Sequence, residues 1–436
     1  MQYLRFLISA VSAAVIGAVP SFAASTTHSA PVVIPASKLK ELQFAPLQTI
    51  FLFASDAQGI ASIIPFQIDE KDKYSDFILD QGRLPNQSAS NKVFDHDDEL
   101  SFMGEDMGPV LPPKKWPGTK PSRVVEIKES LGTRSGAVYA AIFERDPPAL
   151  SPRHYVSFNL AKAEVVTGKY SYRFNHDNYL VVRDVAINER TTPYPLLDSS
   201  TFYLRADFKF FVSISVNQSA IKSSLEAYKT GPIRAITRVN FDYNILTLKL
   251  DLGMYTEVSF FANSVLLPAI VENPLNSKKI LNRGSLFYYG FSLVENPGTL
   301  GVNANMPPYQ QGDDPFGKIT DAFVKADGRY WVSAGQQHFM FFLEMITSPE
   351  MREDKNIPTF FTENASGKDI ASRPSNAAPL GRSPVNVALA MSLANLREGV
   401  HKMFLRLFIE NHYDQATLQS FSTLDQWQLG ERLVTN

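Results

Sequence analysis

Leu246-Thr247-Leu248-Lys249-Leu250-Asp251-Leu252, followed by Gly253 and then Tyr255-Thr256-Glu257-Val258-Ser259-Phe260, is the stretch that decides the fold class. Apolar and polar residues alternate through its first seven positions without error. An extended chain carrying that pattern has one dry face and one wet face, because successive side chains point to opposite sides of a strand. A helix would scatter the same residues around its circumference, since its period is 3.6. Just upstream, Arg234-Ala235-Ile236-Thr237-Arg238-Val239 sets two arginines four residues apart, on one face of a strand. Long antiparallel strands with one face toward a core read this way.

The pattern extends in both directions. Ile50 to Phe53 and Ile60 to Ile64 are strand-like and flank Ser55-Asp56-Ala57-Gln58-Gly59, a good turn composition. Val124 to Ile127, Gly136 to Phe143, Tyr155 to Phe158, Tyr179 to Val182 and His401 to Ile409 read as further strands. So does Phe208 to Val216, where apolar residues hold every second position. Helix is scarce: Asp414 to Phe421 predicts a short one with Asp414 as its N-cap. Residues 24–37 read as an extended leader segment, 69–92 and 109–121 as loops, and proline-rich 347–384 as a long irregular excursion. The best internal break is Asp146-Pro147-Pro148-Ala149-Leu150-Ser151-Pro152. With no sustained βαβ alternation and no solenoid repeat, the fold class is all-β and mainly antiparallel. The expected organisation is a β-rich N-terminal unit over 24–146 and a large β-sandwich over 153–436, with few short helices.

The first 23 residues read differently. Met1 to Arg5 carries one positive charge, Phe6 to Val19 is apolar with small interruptions, and Ser21 and Ala23 form a small-x-small exit. This is the pattern of a secretory signal peptide cleaved after Ala23, and it predicts a periplasmic or secreted protein. No later apolar stretch is long and uninterrupted enough to span a bilayer, so no integral membrane segment is expected after cleavage. The chain has no cysteine, which excludes disulfides, thiol nucleophiles, iron–sulfur clusters and a lipid-modified N-terminal cysteine. Loss of Arg5 with the leader leaves a net charge of about −3 from nearly balanced acids and bases, which gives no electrostatic reason to bind nucleic acid.

One segment has the residue types of a cation site. In Phe94-Asp95-His96-Asp97-Asp98-Glu99-Leu100, the carboxylates of Asp95, Asp97 and Glu99 fall at alternate positions, with Glu105 and Asp106 close behind. Hard cations such as calcium need several oxygen ligands converging on a point, so Asp95, Asp97, Glu99 and Asp106 are the candidate ligands, and calcium is the only cofactor suggested. Leu100 stands where a calcium loop places glycine, which excludes an EF-hand; a solvated turn or an acidic face paired with Lys and Arg accounts for the same residues. The seven histidines are dispersed with no zinc-ligand spacing. No serine elbow, P-loop or dinucleotide turn is present. For a ligand groove the candidates are Arg234 and Arg238, with Tyr288, Tyr289 and Trp331 as an aromatic floor on which sugar rings could stack. Aromatics of this kind also pack cores and neighbouring strands.

Three phrases taken together resemble an uncharacterised family of exported bacterial β-rich proteins. They are Pro65-Phe66-Gln67-Ile68-Asp69-Glu70, then Val93 to Leu100 with Phe102-Met103 and Asp106-Met107-Gly108, then Gly231-Pro232-Ile233-Arg234. The resemblance implies export and names no activity. The long strands around Gly231-Pro232 are also similar to the supersandwiches of mutarotase-like and lyase proteins, at the level of fold only. The leading expectation is a binding protein for carbohydrate or another extracytoplasmic ligand. A polysaccharide-processing lyase or hydrolase acting in a sandwich cleft is the first alternative, and a cell-envelope assembly factor the second.

Overall fold

The structure is a computed structural model describing residues 28–188, 193–210, 212–217, 221–245, 248–273, 276–282, 284–294, 299–302, 328–336, 338–354, 356, 358–364 and 385–434. The leader over 1–23 and its cleavage point lie outside the described residues. Among them, no helix is long and apolar enough to cross a membrane.

Strands β1 (Pro31–Pro35), β2 (Ile50–Ser55), β3 (Ala61–Ile63), β4 (Gln67–Asp69), β5 (Gln81–Gly82), β6 (Glu99–Met103), β7 (Arg123–Leu131) and β8 (Arg134–Ile142) come first in the chain. All but β5 build two small sheets, β1-β6-β4 and a five-stranded sheet containing β7-β8-β2-β3. Val32, Ile34, Leu52, Leu100, Phe102, Val125 and Val138 close the core between them. The segment read as an extended leader is therefore a paired strand, Pro31 lying opposite Met103 and Pro35 opposite Glu99. Its alternation of buried Val32 and Ile34 with more open neighbours is a period-two pattern that two flanking prolines obscure.

The sandwich follows. Its strands are β9 (Val156–Asn159), β10 (Glu164–Thr167), β11 (Tyr170–Asn175), β12 (Asn178–Ile187), β13 (Tyr194–Asp207), β14 (Ser213–Asn217), β15 (Ile221–Thr230), β16 (Arg234–Ile245) and β17 (Leu248–Phe261). Then come β18 (Ser264–Asn273), β19 (Leu286–Leu293), β20 (Thr299–Val302), β21 (Arg329–Gln336), β22 (Phe339–Thr347), β23 (Thr359–Asn364), β24 (Val385–Ser392) and β25 (Gly399–Glu410). Among the described residues they form two nine-stranded sheets. One runs β23-β24-β19-β13-β12-β11-β10-β9 with β14 beside β13; the other runs β20-β21-β22-β25-β18-β17-β16-β15-β5. Neighbouring strands are antiparallel, and the main core, with Val258, Phe260, Phe341, Leu343, Leu389 and Leu405, lies between the sheets. The all-β antiparallel sandwich read from the sequence is the fold of the chain. Gly253 falls in a bulge of β17, where the register shifts between Phe241 and Asp242 of the partner strand.

Three readings change. Phe208 to Val216 is not one strand: β13 ends at Asp207, a turn closed by Phe208 N–H on the carbonyl of Val212 (2.7 Å) intervenes, and β14 returns along β13. Of the alternating apolar residues there, Phe208 packs at the edge of the main core while Phe210 and Val212 are exposed. The excursion over 347–384 begins in order, with a short helix Pro349–Glu353 capped by Ser348 and then β23; residues 365–384 lie outside the described residues. The last strand, β26 (Gln428–Leu433), returns to pair with β7 of the N-terminal unit, while β5 of that unit adds to the sandwich beside β15. Each unit thus carries a strand from the other side of the proline-rich break. The helix near the C-terminus forms where the sequence places it, over Gln415–Ser422, with the Asp414 carboxylate accepting from Thr417 N–H at 2.7 Å.

Candidate functional site

The three phrases that carry the family resemblance meet at one buried seam between the N-terminal unit and the sandwich. Gln67 and Asp69 lie on β4, Glu99 on the adjacent β6, and Arg234 opens β16. The Gln67 side-chain oxygen accepts from the backbone N–H groups of Ile233 (3.1 Å) and Arg234 (3.0 Å). Its amide nitrogen donates to Asp69 at 2.9 Å. Arg234, 1% exposed, donates through Nε to Asp69 (2.8 Å) and through a terminal nitrogen to Glu99 (2.7 Å). Lys229 reaches Asp69 at 2.8 Å and Lys71 reaches Glu99 at 2.5 Å, so both carboxylates face two cations. Gly231 is required here: a Cβ on it would sit 2.1 Å from the Gln67 side-chain oxygen. Burial pushes the Asp69 carboxyl up, but the Arg234 and Lys229 charges outweigh it and hold the group down at about 2. Glu99 is lowered for the same balance of causes, with Arg234 and Lys71 as its cations.

The proposed calcium ligands are dispersed by this arrangement. Glu99 is taken up in the seam. Asp106 accepts from the Tyr155 hydroxyl (2.8 Å) and faces Arg153 (3.3 Å), and burial still raises its pKa. Asp97 is exposed beside His96, and Asp95 accepts from Asn91 (2.7 Å). Asp98, which the sequence reading passed over, is the buried member. Its oxygens accept the backbone N–H groups of Lys71 and Asp95, each at 2.9 Å, pinning the turn to the β4 arm. Burial pushes Asp98 up to about 6 against those two donors, helped by the Asp95 and Glu70 charges. Among the described residues, no group of three or more His, Asp or Glu side chains is placed to hold a metal.

Arg238 lies on the same face of β16 as Arg234, as their spacing requires, and is bound in an adjacent cluster. Its Nε donates to Glu257 of β17 (2.9 Å), and a terminal nitrogen donates to the backbone carbonyl of Phe77 (2.8 Å). Glu257 accepts the N–H of that same Phe77 (3.1 Å). Tyr255 lies over the Arg238 guanidinium, 5.3 Å from its centre, and donates to Asp76. The aromatic floor divides between the two sheets. Tyr289 on β19 packs edge-on against Phe291 at 5.1 Å, and Trp331 on β21 stacks on Phe342 at 5.2 Å beneath the helix Gln415–Ser422. The side chain of Tyr288 lies outside the described residues.

The outer face of the β5–β20 sheet carries an open strip beside its covers. The N-terminal unit seats Phe77 and Leu79 on Ala227 and Ile236, and Met103 on Ile233 and Phe261. The helix covers Phe342 and Phe408 together with Ala30 of the N-terminal unit, beside the buried carboxylate of Glu344, which Arg329 and Arg406 hold from two strands. Farther along the strands Tyr255 (42% exposed), Ile270 (57%), Phe404 (38%) and Val400 (60%) are open on β17, β18 and β25, Tyr255 with its hydroxyl on Asp76. Ile270 pairs with Lys402 and Pro268 with Phe404, so these side chains share one face. The sequence signal was Phe404 itself, an aromatic between Lys402 and Arg406 on the wet side of an alternating strand. Ile270, in a strand apolar on both faces, gave none.

No protein family matches the chain by sequence, and no curated protein matches it either. Among solved structures it is similar to a glycosyl hydrolase family 38 protein from Enterococcus faecalis at 8% identity, with a TM-score of 0.42 over 94% of this chain and 46% of that one. An alpha-mannosidase from Enterococcus faecalis gives the same identity and score over 94% and 44%. A family 92 glycosyl hydrolase gives 9% identity and 0.26 over 59% and 30%. The chain spans under half the length of each of these proteins.

Proposed function

We propose that the chain is a non-catalytic binding protein working outside the cytoplasm, with a carbohydrate chain held along the open strip of the outer sheet. The observation that carries this reading is the strip itself: Tyr255 and Phe404 are exposed aromatics on one outer sheet face, with Ile270 and Val400 exposed beside them. Ring faces suit the apolar sides of sugars, and Asp76 and Lys402 at the strip's edge supply acceptors and donors for hydroxyl groups. The buried acids Asp69, Glu99, Glu257 and Glu344 each face a Lys or Arg of the chain, which leaves them unsuited to proton transfer with a substrate.

A polysaccharide-processing enzyme is the second reading, because Arg238, Glu257, Tyr255 and Asp76 gather at one place. Burial and the Asp76 carboxylate raise the Tyr255 phenol well above its ordinary value, which keeps it protonated and a poor base. Calorimetric titration of residues 24–436 with a panel of soluble polysaccharides tests both readings. Binding that Tyr255→Ala and Phe404→Ala each weaken by about tenfold, with no new reducing ends or unsaturated products, supports the binding protein. Product formation would favour the enzyme. If no glycan binds, or binding survives both substitutions, the carbohydrate reading fails.

A further inference from the structure

The hairpin that closes β13 onto β14 ends in apolar side chains that the fold does not bury. Phe210 is 73% exposed and Val212 54%, and both stand at the turn. Phe211, between them in the chain, lies outside the described residues. Turns ordinarily carry Gly, Asn, Asp, Ser or Pro, whose backbone or side-chain chemistry makes the bend. Lys209-Phe210-Phe211-Val212 has none of these, so folding alone gives no reason for apolar residues at this tip. The tip is held firmly from below. Phe208 N–H donates to the carbonyl of Val212 (2.7 Å), and Phe208 packs at the edge of the main core. Lys209 N–H donates to the carbonyl of Ile280 (2.9 Å), and Asn282 N–H to that of Asp207 (2.7 Å). The apolar side chains are therefore presented on a fixed base, and engaging them costs little ordering of the backbone.

The surroundings are cationic. The Lys209 ammonium donates to the carbonyl of Lys278 (2.5 Å), which sets it beside the exposed Lys278 and Lys279 of the single-turn helix Ser277–Ile280. The nearby carboxylates are already taken: Asp207 by Arg205 (2.7 Å) and Asp354 by Arg397 (2.7 Å), with Lys278 3.9 Å from Asp354. Among the described residues, Lys209 and Lys279 face no carboxylate in an ion pair. We propose that this tip is an insertion point for an anionic lipid surface. Phe210 and Val212 enter the apolar edge of the bilayer, and Lys209 and Lys279 meet the phosphate groups. Apolar side chains flanked by lysine suit that boundary, where the apolar groups leave water and the ammonium groups stay in it. Another protein would need a larger contact, since a stable interface buries about 800 Å² on each partner and two apolar side chains fall well short of that. The chain is acidic overall, so attraction to an anionic surface is left to this local patch. The hairpin belongs to the sheet opposite the one that bears the open strip, and the two surfaces are separate.

The test is flotation of residues 24–436 with vesicles of phosphatidylglycerol and phosphatidylcholine in equal amounts, and with vesicles of phosphatidylcholine alone. The chain should float with the first and not with the second, and added salt should weaken the attachment. Phe210→Ser with Val212→Ser should lower the partition coefficient by at least about tenfold, and Lys209→Gln or Lys279→Gln by about fivefold each. All four side chains lie on the surface, so the urea midpoint should stay unchanged in these variants. Phe210→Trp supplies a second reading. Its emission should shift to the blue with the anionic vesicles and be quenched by lipids brominated along the acyl chain, beyond the response of the unaltered chain. Absence of flotation with the anionic vesicles overturns the proposal, as does flotation that survives the Phe210→Ser/Val212→Ser pair, or equal flotation with phosphatidylcholine. Self-association in lipid-free solution that the same pair abolishes, without flotation, would also overturn it and assign the tip to a second copy of the chain.

Discussion

Arg234→Met tests the seam most directly. The substitution keeps the length and apolar body of the side chain and removes its charge from a site that is 1% exposed. Breaking a buried ion pair from one side generally costs about 3–5 kcal/mol, because the remaining charge is left in a poorly solvating place. Here two carboxylates lose a partner, but Lys229 still faces Asp69 at 2.8 Å and Lys71 still faces Glu99 at 2.5 Å. That puts the expected loss near the lower end, about 3 kcal/mol, with a further fraction from the ring contacts to Phe77 and Phe261. Urea unfolding of residues 24–436, followed by circular dichroism and aromatic fluorescence, reads it. The acid limb gives a second measure. The folded Asp69 carboxyl lies near 2, below the ordinary 3.8, so its contribution is complete above about pH 4 and disappears as pH falls toward 2. That contribution amounts to roughly 2 kcal/mol and should shrink in Arg234→Met. A loss under about 1 kcal/mol, the usual worth of an exposed pair, would refute the reasoning.

Gly231→Ala should destabilise the chain by about 1–3 kcal/mol in the same urea assay, since the new methyl meets the Gln67 side chain; a neutral result would mean the seam opens without cost. Asp98, pushed up to about 6, keeps a proton in the folded chain that the unfolded chain sheds near pH 4. Stability should therefore fall as pH rises from about 4 to about 6, and Asp98→Asn should flatten that fall in urea midpoints taken across the window. Because Glu99 and Asp106 already face cationic or hydroxyl donors of the chain, calcium and chelator are expected to leave the thermal midpoint within about 1 °C. A rise with calcium that Asp97→Ala removes would restore the metal site.

The class of fold was legible because period-two alternation is a local property: 246–252 or 401–409 need no knowledge of what they pack against. Placement was not, because it depends on contacts far apart in the chain. Asp69 and Arg234 are 165 residues apart, and nothing in either neighbourhood states that they pair. The spacing of Arg234 and Arg238 correctly put both on one face, but a buried face filled with carboxylates and an open one await an arginine with the same spacing. The same limit explains Asp95, Asp97 and Glu99. Alternation predicts carboxylates on one side, and only the partner strand shows that Glu99 turns to Arg234 while Asp97 turns to water. Phe208 to Val216 failed for a different reason: a hairpin with apolar residues at its turn mimics a strand when its closure cannot be seen.

The chain crosses between its two units more often than a simple tandem would require, and this gives the seam a purpose. The main connection after β8 is proline-rich, and a linker of that composition alone leaves its units free to swing; here Arg153 and Tyr155 at its end already hold Glu105 and Asp106 of the N-terminal unit. Two strand exchanges remove that freedom: β5 is lent to the sandwich, and β26 is returned from it to β7. Each exchange fixes a separate edge, and the Gln67–Asp69–Glu99–Arg234 set lies at the start of the strap, residues 70–86, that carries β5 across. An ionic contact suits that position better than an apolar one would. Its charges must meet in pairs, Asp69 with Arg234 and Lys229, Glu99 with Arg234 and Lys71, so a slip of one residue along β4 would bury a charge without its partner. The seating of β4 over the start of β16, fixed by Gln67 and Asp69 on Ile233 and Arg234, then sets where residues 70–86 begin, and hence where Phe77 and Gly82 land on β15 to β17. On this argument a Lys229→Met chain, which keeps Arg234, should hold the strap in place and lose only stability. Arg234→Met should both destabilise the chain and speed hydrogen exchange of residues 72–85, and equal exchange in the two variants would separate the seam from the strap.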